Sequence, residues 1–398
     1  MKWIKTGGVT SPHGFRAAGI SAGIKRRGKK DMAMVVSDSD AIVGAVFTTN
    51  KIKAAPVKVS MEYARNGAVR GVIYNSGNAN ACTGIQGLKD AKKMADLACQ
   101  LQNFKPRQML VCSTGRIGIP LPIGKIERGI PRIIKKLSHR GGNEAAHAIM
   151  TTDTFPKQCA VSLKIDGRQV TIGAMTKGAG MIHPNMATML CCVTTDAVID
   201  KKTLQRCVQD AVENSFNRIS VDGDTSTNDT VLVFANGKAG NNMIKSFHPQ
   251  YGDFCNALGA VMKKLARMIV EDGEGNTKVV EVAVQGAAHA SDARLVAESV
   301  ARSPLVKCSW CGGDPNWGRI MAAIGYSGAR VREELVEIYY DGLIAARGGI
   351  ASATPLKTLK KVTRKCSYTI HINLHLGKGE YTLLTNDFTE DYVKINKD

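Results

Sequence analysis

One threonine, delivered by a small-residue loop to the start of an apolar run, is the most chemically suggestive position in this chain. The loop reads Lys177-Gly178-Ala179-Gly180-Met181-Ile182-His183-Pro184-Asn185-Met186-Ala187-Thr188-Met189-Leu190. Met189 to Val193 then has the continuous apolar character of a buried strand. A loop that presents a hydroxyl at the head of such a strand holds it still, which is what a nucleophile needs. A Thr hydroxyl also needs a base within hydrogen-bond reach before it attacks anything. Taken by itself, Thr188 reads more readily as an ordinary threonine opening a strand.

Other residue types that do chemistry are less well arranged. His371 and His375 stand four apart, the spacing at which a helix chelates a metal, but they fall on the polar side of an alternating strand. Cys308-Ser309-Trp310-Cys311 is the one CxxC pattern, with no second pair or matched histidines to complete a zinc site. The loop Asp222-Gly223-Asp224 to Asn228-Asp229 lacks the spacing and final Glu of a calcium hand, and reads as a loop bonded to itself. No glycine-rich nucleotide motif is present. No metal is expected.

The elements that would position these groups alternate between strand and helix. Strands are expected over Ala41–Phe47, Gly71–Tyr74 and Met109–Cys112, and a helix over Leu88–Leu101 from apolar residues at helical spacing. Ala160–Ile165 and Gln169–Ala174 form a hairpin about Asp166-Gly167, and its second strand runs into the Lys177 loop. Beyond Thr188 come a helix (Leu204–Phe216), a strand (Val231–Phe234), a helix (Tyr251–Ile269), a strand (Val279–Val284), a helix (Ala290–Ser299) and an alternating strand (Thr369–Leu376). The fold class is α/β (α+β), divided into a core of residues 1–284 and a smaller α/β domain of 285–398.

With 398 residues, 44% of them apolar, the chain can bury a large core. No apolar run approaches the ~18–20 residues of a membrane helix, and the amino terminus lacks the apolar stretch of a signal peptide. A cytoplasmic protein is expected. Eleven cysteines, an odd number spread along the chain, read as thiols rather than a disulfide framework. The formal charge of +20 gathers at Lys25–Lys30, Arg132–Arg140 and Lys360–Lys365. Without interleaved aromatics or a recognised reading motif, these clusters describe a solvated basic surface that attracts acidic small molecules, rather than a nucleic-acid interface.

Several stretches, in order from end to end, resemble one family. They are Val9-Thr10-Ser11-Pro12-His13-Gly14-Phe15-Arg16, Phe47-Thr48-Thr49-Asn50, Asn75-Ser76-Gly77-Asn78-Ala79-Asn80-Ala81-Cys82-Thr83-Gly84, the Lys177–Leu190 loop, Ser215-Phe216-Asn217-Arg218-Ile219 with Val221 to Asp229, Gly313-Asp314-Pro315-Asn316-Trp317-Gly318-Arg319 and Tyr392-Val393-Lys394-Ile395-Asn396. Together they resemble the self-cleaving glutamate N-acetyltransferase/ornithine acetyltransferase family of arginine biosynthesis. The resemblance implies cleavage between Ala187 and Thr188 into an α chain (1–187) and a β chain (188–398). Thr188 would then carry nucleophile and base together, because a freed α-amine titrates near ~7.7–8.0. It also implies an αββα-type sandwich of N-terminal-nucleophile kind with the smaller C-terminal domain, and an α2β2 heterotetramer.

The activity implied is ping-pong transfer of acetyl from N2-acetylornithine to glutamate through an acetyl ester on Thr188, with no cofactor. Some members of the family also accept acetyl-CoA. Thr114 and Gly115 match the oxyanion hole, where a hydroxyl and a closely approached backbone N–H meet the developing charge. Thr151, Lys177, Thr188, Glu274 and Asn396 match substrate-binding positions: Lys177 suits an α-carboxylate, Glu274 a side-chain ammonium. Three departures stand out. Arg116 follows Thr114-Gly115 where the family has a small apolar residue, Asn276 replaces a common Ala, and the chain ends at Asp398, short of the family's terminal Ser or Thr. Two rival readings remain: an N-terminal-nucleophile aminopeptidase or amidase, with water as acceptor, and a basic nucleic-acid-binding protein.

Overall fold

The computed structural model describes residues 1–26, 28–65, 67–183 and 189–397. Its described residues form two compact units. The first comprises residues 1–181, 189–217 and 224–269; the second, residues 182–183, 218–223 and 270–397.

In the first unit the strands are β1 (Lys2–Ile4), β2 (Phe15–Ile20), β3 (Met32–Phe47), β4 (Val69–Asn78), β5 (Met109–Arg116), β6 (Lys157–Ile165), β7 (Arg168–Lys177), β8 (Leu190–Thr195) and β9 (Thr230–Ala235). They join in the order β1-β6-β7-β8-β9-β3-β4-β5, with β2 also on β3. The long β3 serves two halves of this sheet. Met32–Val36 pairs with β2 and β4, whereas Ile42–Phe47 pairs with β9. Between them the register shifts, at the polar stretch Ser37-Asp38-Ser39-Asp40. Met175, Leu190, Cys192, Leu232 and Phe234 from one half share a core with Met34, Val72, Ile73 and Met109 from the other.

Helices cover this sheet: α1 (Ala55–Arg65), α2 (Gly84–Leu101), α3 (Ile123–Ile134), α4 (Gly142–Ile149) and α5 (Lys201–Glu213). Asp200 caps α5 by accepting from the Lys202 and Thr203 N–H groups, and Leu204, Cys207, Val208, Ala211 and Val212 form its buried face. The helix α6 (Tyr251–Glu271) follows. Cys207 on α5 and Cys255 on α6 are paired as a disulfide, with Cα atoms 5.5 Å apart. The expectation of thiols throughout is corrected for this pair, which two helices 48 residues apart in sequence bring together; the other nine cysteines are free.

The β6–β7 hairpin turns at Asp166-Gly167 as expected, both residues at positive φ (49° and 74°). Strands β8 and β9 run parallel and are buried at every residue. Parallel strands covered on both faces read as unbroken apolar runs, and this is why both were legible.

The second unit is built on a six-stranded sheet. Its strands are β10 (Val279–Ala287), β11 (Glu337–Tyr340), β12 (Leu343–Arg347), β13 (Ile350–Ala351), β14 (Ser367–Asn373) and β15 (Gly379–Asn386), in the order β13-β12-β11-β14-β10-β15. Its helices are α7 (Ala290–Arg302), α8 (Pro304–Cys311), α9 (Trp317–Gly325), α10 (Leu356–Thr363) and α11 (Glu390–Asn396). The Gly313–Arg319 block turns into α9, where the Asn316 side chain caps the Arg319 N–H. The alternating strand expected over Thr369–Leu376 is β14, which ends at Asn373; His375, at positive φ, lies past its end against Glu337. The chain thus has a mixed α/β fold with two sheets and covering helices, the smaller sheet in the C-terminal part.

Candidate active site

Sheet register brings the candidate residues of the first unit together. Leu190 opens β8 opposite Lys177, the last residue of β7, and beside Thr230, the first of β9. Ala187 and Thr188 themselves lie outside the described residues. Met189 is the first described residue after them, and it is fixed at both ends. Its N–H donates to Asp229 Oδ1 at 3.0 Å, and its carbonyl accepts from the Thr230 N–H at 3.1 Å.

Lys177 is buried, 3% exposed, and its Nζ donates to Thr114 Oγ1 at 3.3 Å. Thr114 and Gly115 lie near the end of β5, one residue short of Arg116, alongside the end of β4. Gly115 has φ +132°, and a Cβ there would stand 2.4 Å from the Gly77 carbonyl carbon and 2.5 Å from the Asn78 nitrogen. Only glycine fits such an approach. Gly115 is nonetheless solvent-exposed, so its backbone is open on the side away from β4.

The end of β5 is set by a network of asparagines. Ser113 Oγ donates to Asn75 Oδ1 at 2.6 Å, and Asn75 Nδ2 donates to the Asn78 carbonyl at 2.8 Å. Asn228 Nδ2 donates to the Ala79 carbonyl at 2.7 Å and the Ser113 carbonyl at 2.8 Å. The Asn75–Gly84 block and the loop before β9 therefore hold the candidate oxyanion backbone rather than contribute reacting atoms.

Thr151 enters this region through Asp153, a buried carboxylate the sequence reading did not single out. Asp153 Oδ2 accepts the Thr151 N–H at 2.8 Å; its Oδ1 accepts the Gly178 N–H at 2.8 Å and Lys157 Nζ at 2.7 Å. Burial alone would raise its pKa, but the charges of Lys177 and Lys157 and these hydrogen bonds bring it down to about 2. Lys25 adds a further cation. Its Nζ donates to the Met150 carbonyl at 2.5 Å and the Lys30 carbonyl at 2.9 Å. Burial, reinforced by the Lys177 charge against the pull of Asp31 and Asp153, lowers its pKa to about 8. The sequence signal for Lys25 was only a basic run, and for Asp153 only its place beside Thr151.

Glu274 and Asn396 meet each other in the second unit. Asn396 Nδ2 donates to Glu274 Oε2 at 2.6 Å. The turn carrying Glu274 is held to α11 by Thr389 Oγ1, which donates to the Gly275 carbonyl at 2.6 Å. Gly275 has φ +69°, and a Cβ there would meet Asp391 and Tyr392 at 2.8–3.0 Å, so this tight turn requires glycine. Among the described residues no group of three or more His, Cys, Asp or Glu side chains is placed to hold a metal ion. No helix among them is long and apolar enough to cross a membrane.

An α/β architecture with one sheet in each unit, and in the first unit buried polar residues gathered at the strand ends around the head of β8, defines the class. The chain belongs to the ArgJ family, which it matches over residues 16–398. It is 50% identical over 398 residues to the arginine biosynthesis bifunctional protein ArgJ of Symbiobacterium thermophilum, covering 100% of this chain and 99% of that one. It is 47% identical to the Geobacter sulfurreducens protein of the same name over 97% of this chain and 98% of that one. The crystal structure of arginine biosynthesis bifunctional protein argJ from Bacillus halodurans superposes with a TM-score of 0.50 at 40% identity, covering 52% of this chain and 97% of that chain.

Proposed function

We infer that this chain transfers the acetyl group of N2-acetylornithine to glutamate, releasing ornithine and N-acetylglutamate within arginine biosynthesis. The Thr188 hydroxyl attacks the acetyl carbonyl, the oxyanion is met at Thr114 and Gly115, and ornithine leaves with the proton. Glutamate's amine then attacks the Thr188 acetyl ester. One amide is exchanged for another of similar energy, so the work of the site is positioning and charge stabilisation. Acetyl-CoA is a further candidate donor.

The single observation that carries this reading is the Lys177–Thr114 contact of 3.3 Å. Lys177 ends β7 and Thr114 lies two residues before the end of β5, both strands of the sheet that contains β8, which starts two residues after Thr188. A buried ammonium beside the candidate oxyanion donors suits an amino-acid carboxylate held near the reacting amide. The Glu274–Asn396 pair supports recognition of a side-chain ammonium, and Thr151 is the remaining candidate for substrate contact.

Before turnover the precursor splits between Ala187 and Thr188 into chains of residues 1–187 and 188–398, which assemble as α2β2 in the cytoplasm. The match of a whole solved chain to about half of this one supports such a division. Intact-mass measurement of the purified protein tests the processing: two species, one beginning at Thr188, are expected. Acetyl transfer is then followed with and without glutamate. Hydrolysis of acetylornithine without glutamate, as fast as transfer with it, would replace the transferase with an amidase.

A further inference from the structure

A second ammonium stands beside the candidate oxyanion hole. Lys25 is half-buried, and its stem lies against Gly77, where an added Cβ would stand 3.0 Å from Lys25 Cγ. Gly77 in turn pairs with Gly115 across β4 and β5. Acetyl transfer as read above gives Lys25 no task, and this inference rests on that transferase reading.

The loop of residues 22–31 has its own fastening. Asp31, fully buried, accepts the N–H groups of Ala22 and Ile24 at 2.6 Å and of Lys25 at 2.9 Å. Lys25 Nζ adds one bond to that loop, at the Lys30 carbonyl, and reaches out of it to the Met150 carbonyl at 2.5 Å, just past α4. That carbonyl and the Thr151 N–H belong to one peptide group. The Thr151 N–H goes to Asp153 Oδ2 at 2.8 Å, and Asp153 Oδ1 receives the Gly178 N–H at 2.8 Å, next to Lys177. One peptide and one carboxylate therefore join Lys25 to the strand end that carries Lys177. The residue fixed between them, Thr151, is itself a candidate substrate contact.

A plain helix cap is the competing account, since carbonyls at a helix end attract cations. Charge separates the two. Lys25 faces the carboxylates of Asp31 and Asp153 and the ammonium groups of Lys177 and Lys29. Asp153 is already paired with Lys157 at 2.7 Å, so its charge is shared among several cations. A carboxylate that enters beside Lys25 and Lys177 is attracted by both.

We propose that Lys25 is a second cation of the amino-acid subsite: it fixes the peptide that presents Thr151 and, with Lys177, supplies the positive charge that holds the α-carboxylate common to both substrates.

Calorimetric binding of glutamate to the purified protein at pH 7 and pH 9 tests this with the wild type, Lys25→Arg and Lys25→Gln, beside KM and kcat for acetyl transfer. Arg keeps the cation, whereas Gln keeps a donor for the Met150 carbonyl and no charge. At pH 7 Lys25→Gln should bind glutamate at least ~10-fold more weakly, as for a charge lost from a partly buried site. KM for acetylornithine and glutamate should rise by the same order, with kcat changed less. Lys25→Arg should stay within about threefold of wild type, because it remains charged. Burial lowers the Lys25 pKa to about 8, so raising the pH from 7 to 9 discharges it. Wild-type affinity should then fall by up to ~10-fold more than that of Lys25→Arg. Titration of glutamate and of Lys177 is common to both proteins and cancels. A structural cap predicts that Gln matches Arg in binding and that the variants differ from wild type in melting temperature alone. Gln within about twofold of Arg, or the same pH dependence in wild type and Lys25→Arg, overturns the proposal. Loss of soluble chain in both variants would assign Lys25 to folding and overturn it as well. A wild type that neither binds glutamate nor transfers acetyl would remove the transferase reading itself, a failure distinct from variants that bind alike.

Discussion

Replacing Gly115 by alanine isolates the backbone contribution of the candidate oxyanion hole. At φ +132° the new Cβ would lie 2.4 Å from the Gly77 carbonyl carbon and 2.5 Å from the Asn78 nitrogen. Both are backbone atoms, so no side chain can swing away. Restoring ordinary contact would require the ends of β4 and β5 to part by about 1 Å, and a displacement of that size at a reacting centre costs ~10²-fold in rate. Losing one oxyanion donor costs a similar ~10²–10³-fold in kcat. The strained φ adds about 1–3 kcal/mol to the folded state. We therefore expect Gly115→Ala to lower kcat ~10²–10³-fold and to slow self-cleavage. Gly118→Ala is the control, since Gly118 has φ +81° with nothing within 4 Å of its would-be Cβ. It carries conformational strain of about 1 kcal/mol without moving the β4–β5 ends, so its rate should stay close to wild type. Assays are acetyl transfer from acetylornithine to glutamate, intact mass, and thermal melting. A Gly115→Ala protein that cleaves fully and transfers acetyl within tenfold of wild type would refute the assignment.

Three further outcomes follow from the buried charges and the disulfide. Asp153→Asn should destabilise the protein by roughly 3–5 kcal/mol, because Lys157 is fully buried and loses its carboxylate partner; unchanged melting would contradict this. The Asp153 pKa is lowered to about 2 from 3.8, so its contribution is complete above pH ~4 and is lost as pH falls from there toward 2. Wild-type melting should show that acid loss and Asp153→Asn should not. Lys177→Met should raise KM for both amino-acid substrates by at least ~10-fold, as for a lost charge-assisted hydrogen bond; an effect on kcat alone would dissociate it from substrate carboxylate binding. Cys207→Ser should lower the stability of the oxidised protein by up to ~4 kcal/mol, the loop-closure value for 48 residues. Reductant should remove most of the difference from wild type.

What the sequence made legible follows from which physics acts locally. The strands β8 and β9 and the face of α5 were readable because burial leaves a direct periodic trace. The β6–β7 hairpin was readable because Asp166-Gly167 suits positive φ. The start of β3 was missed because Met32–Val36 and Ala41–Phe47 are separated by polar residues, and their partners are strands distant in sequence. The second unit gathers three separate stretches of chain, an outcome of tertiary contact that no linear pattern encodes. In the candidate site, Thr114, Gly115 and Lys177 were nameable from their motifs. Asp153, Lys25 and Asp229 gain their meaning only from burial and from partners brought near by folding, such as Gly178 for Asp153 and Met189 for Asp229. An isolated Asp in a polar stretch carries no such signal.

Strand register, more than any single side chain, explains how so scattered a set of residues comes to one place. Pairing of Lys177 with Leu190 sets the β7 cation beside the start of β8, and pairing of Leu190 with Thr230 sets Asp229 beside Met189. Pairing of Gly77 with Gly115 does the same for the end of β5. A slip of one residue in any of these ladders would send the side chains to the opposite face of the sheet. For β8 and β9 each register is over-determined, because both strands are buried throughout and have paired neighbours on each side. Geometry needed for acyl transfer is thus specified by the same burial that stabilises the fold. The polar residues at the strand ends can then carry costs, such as the burial of the Asp153–Lys157 ion pair, that the core around them is able to sustain.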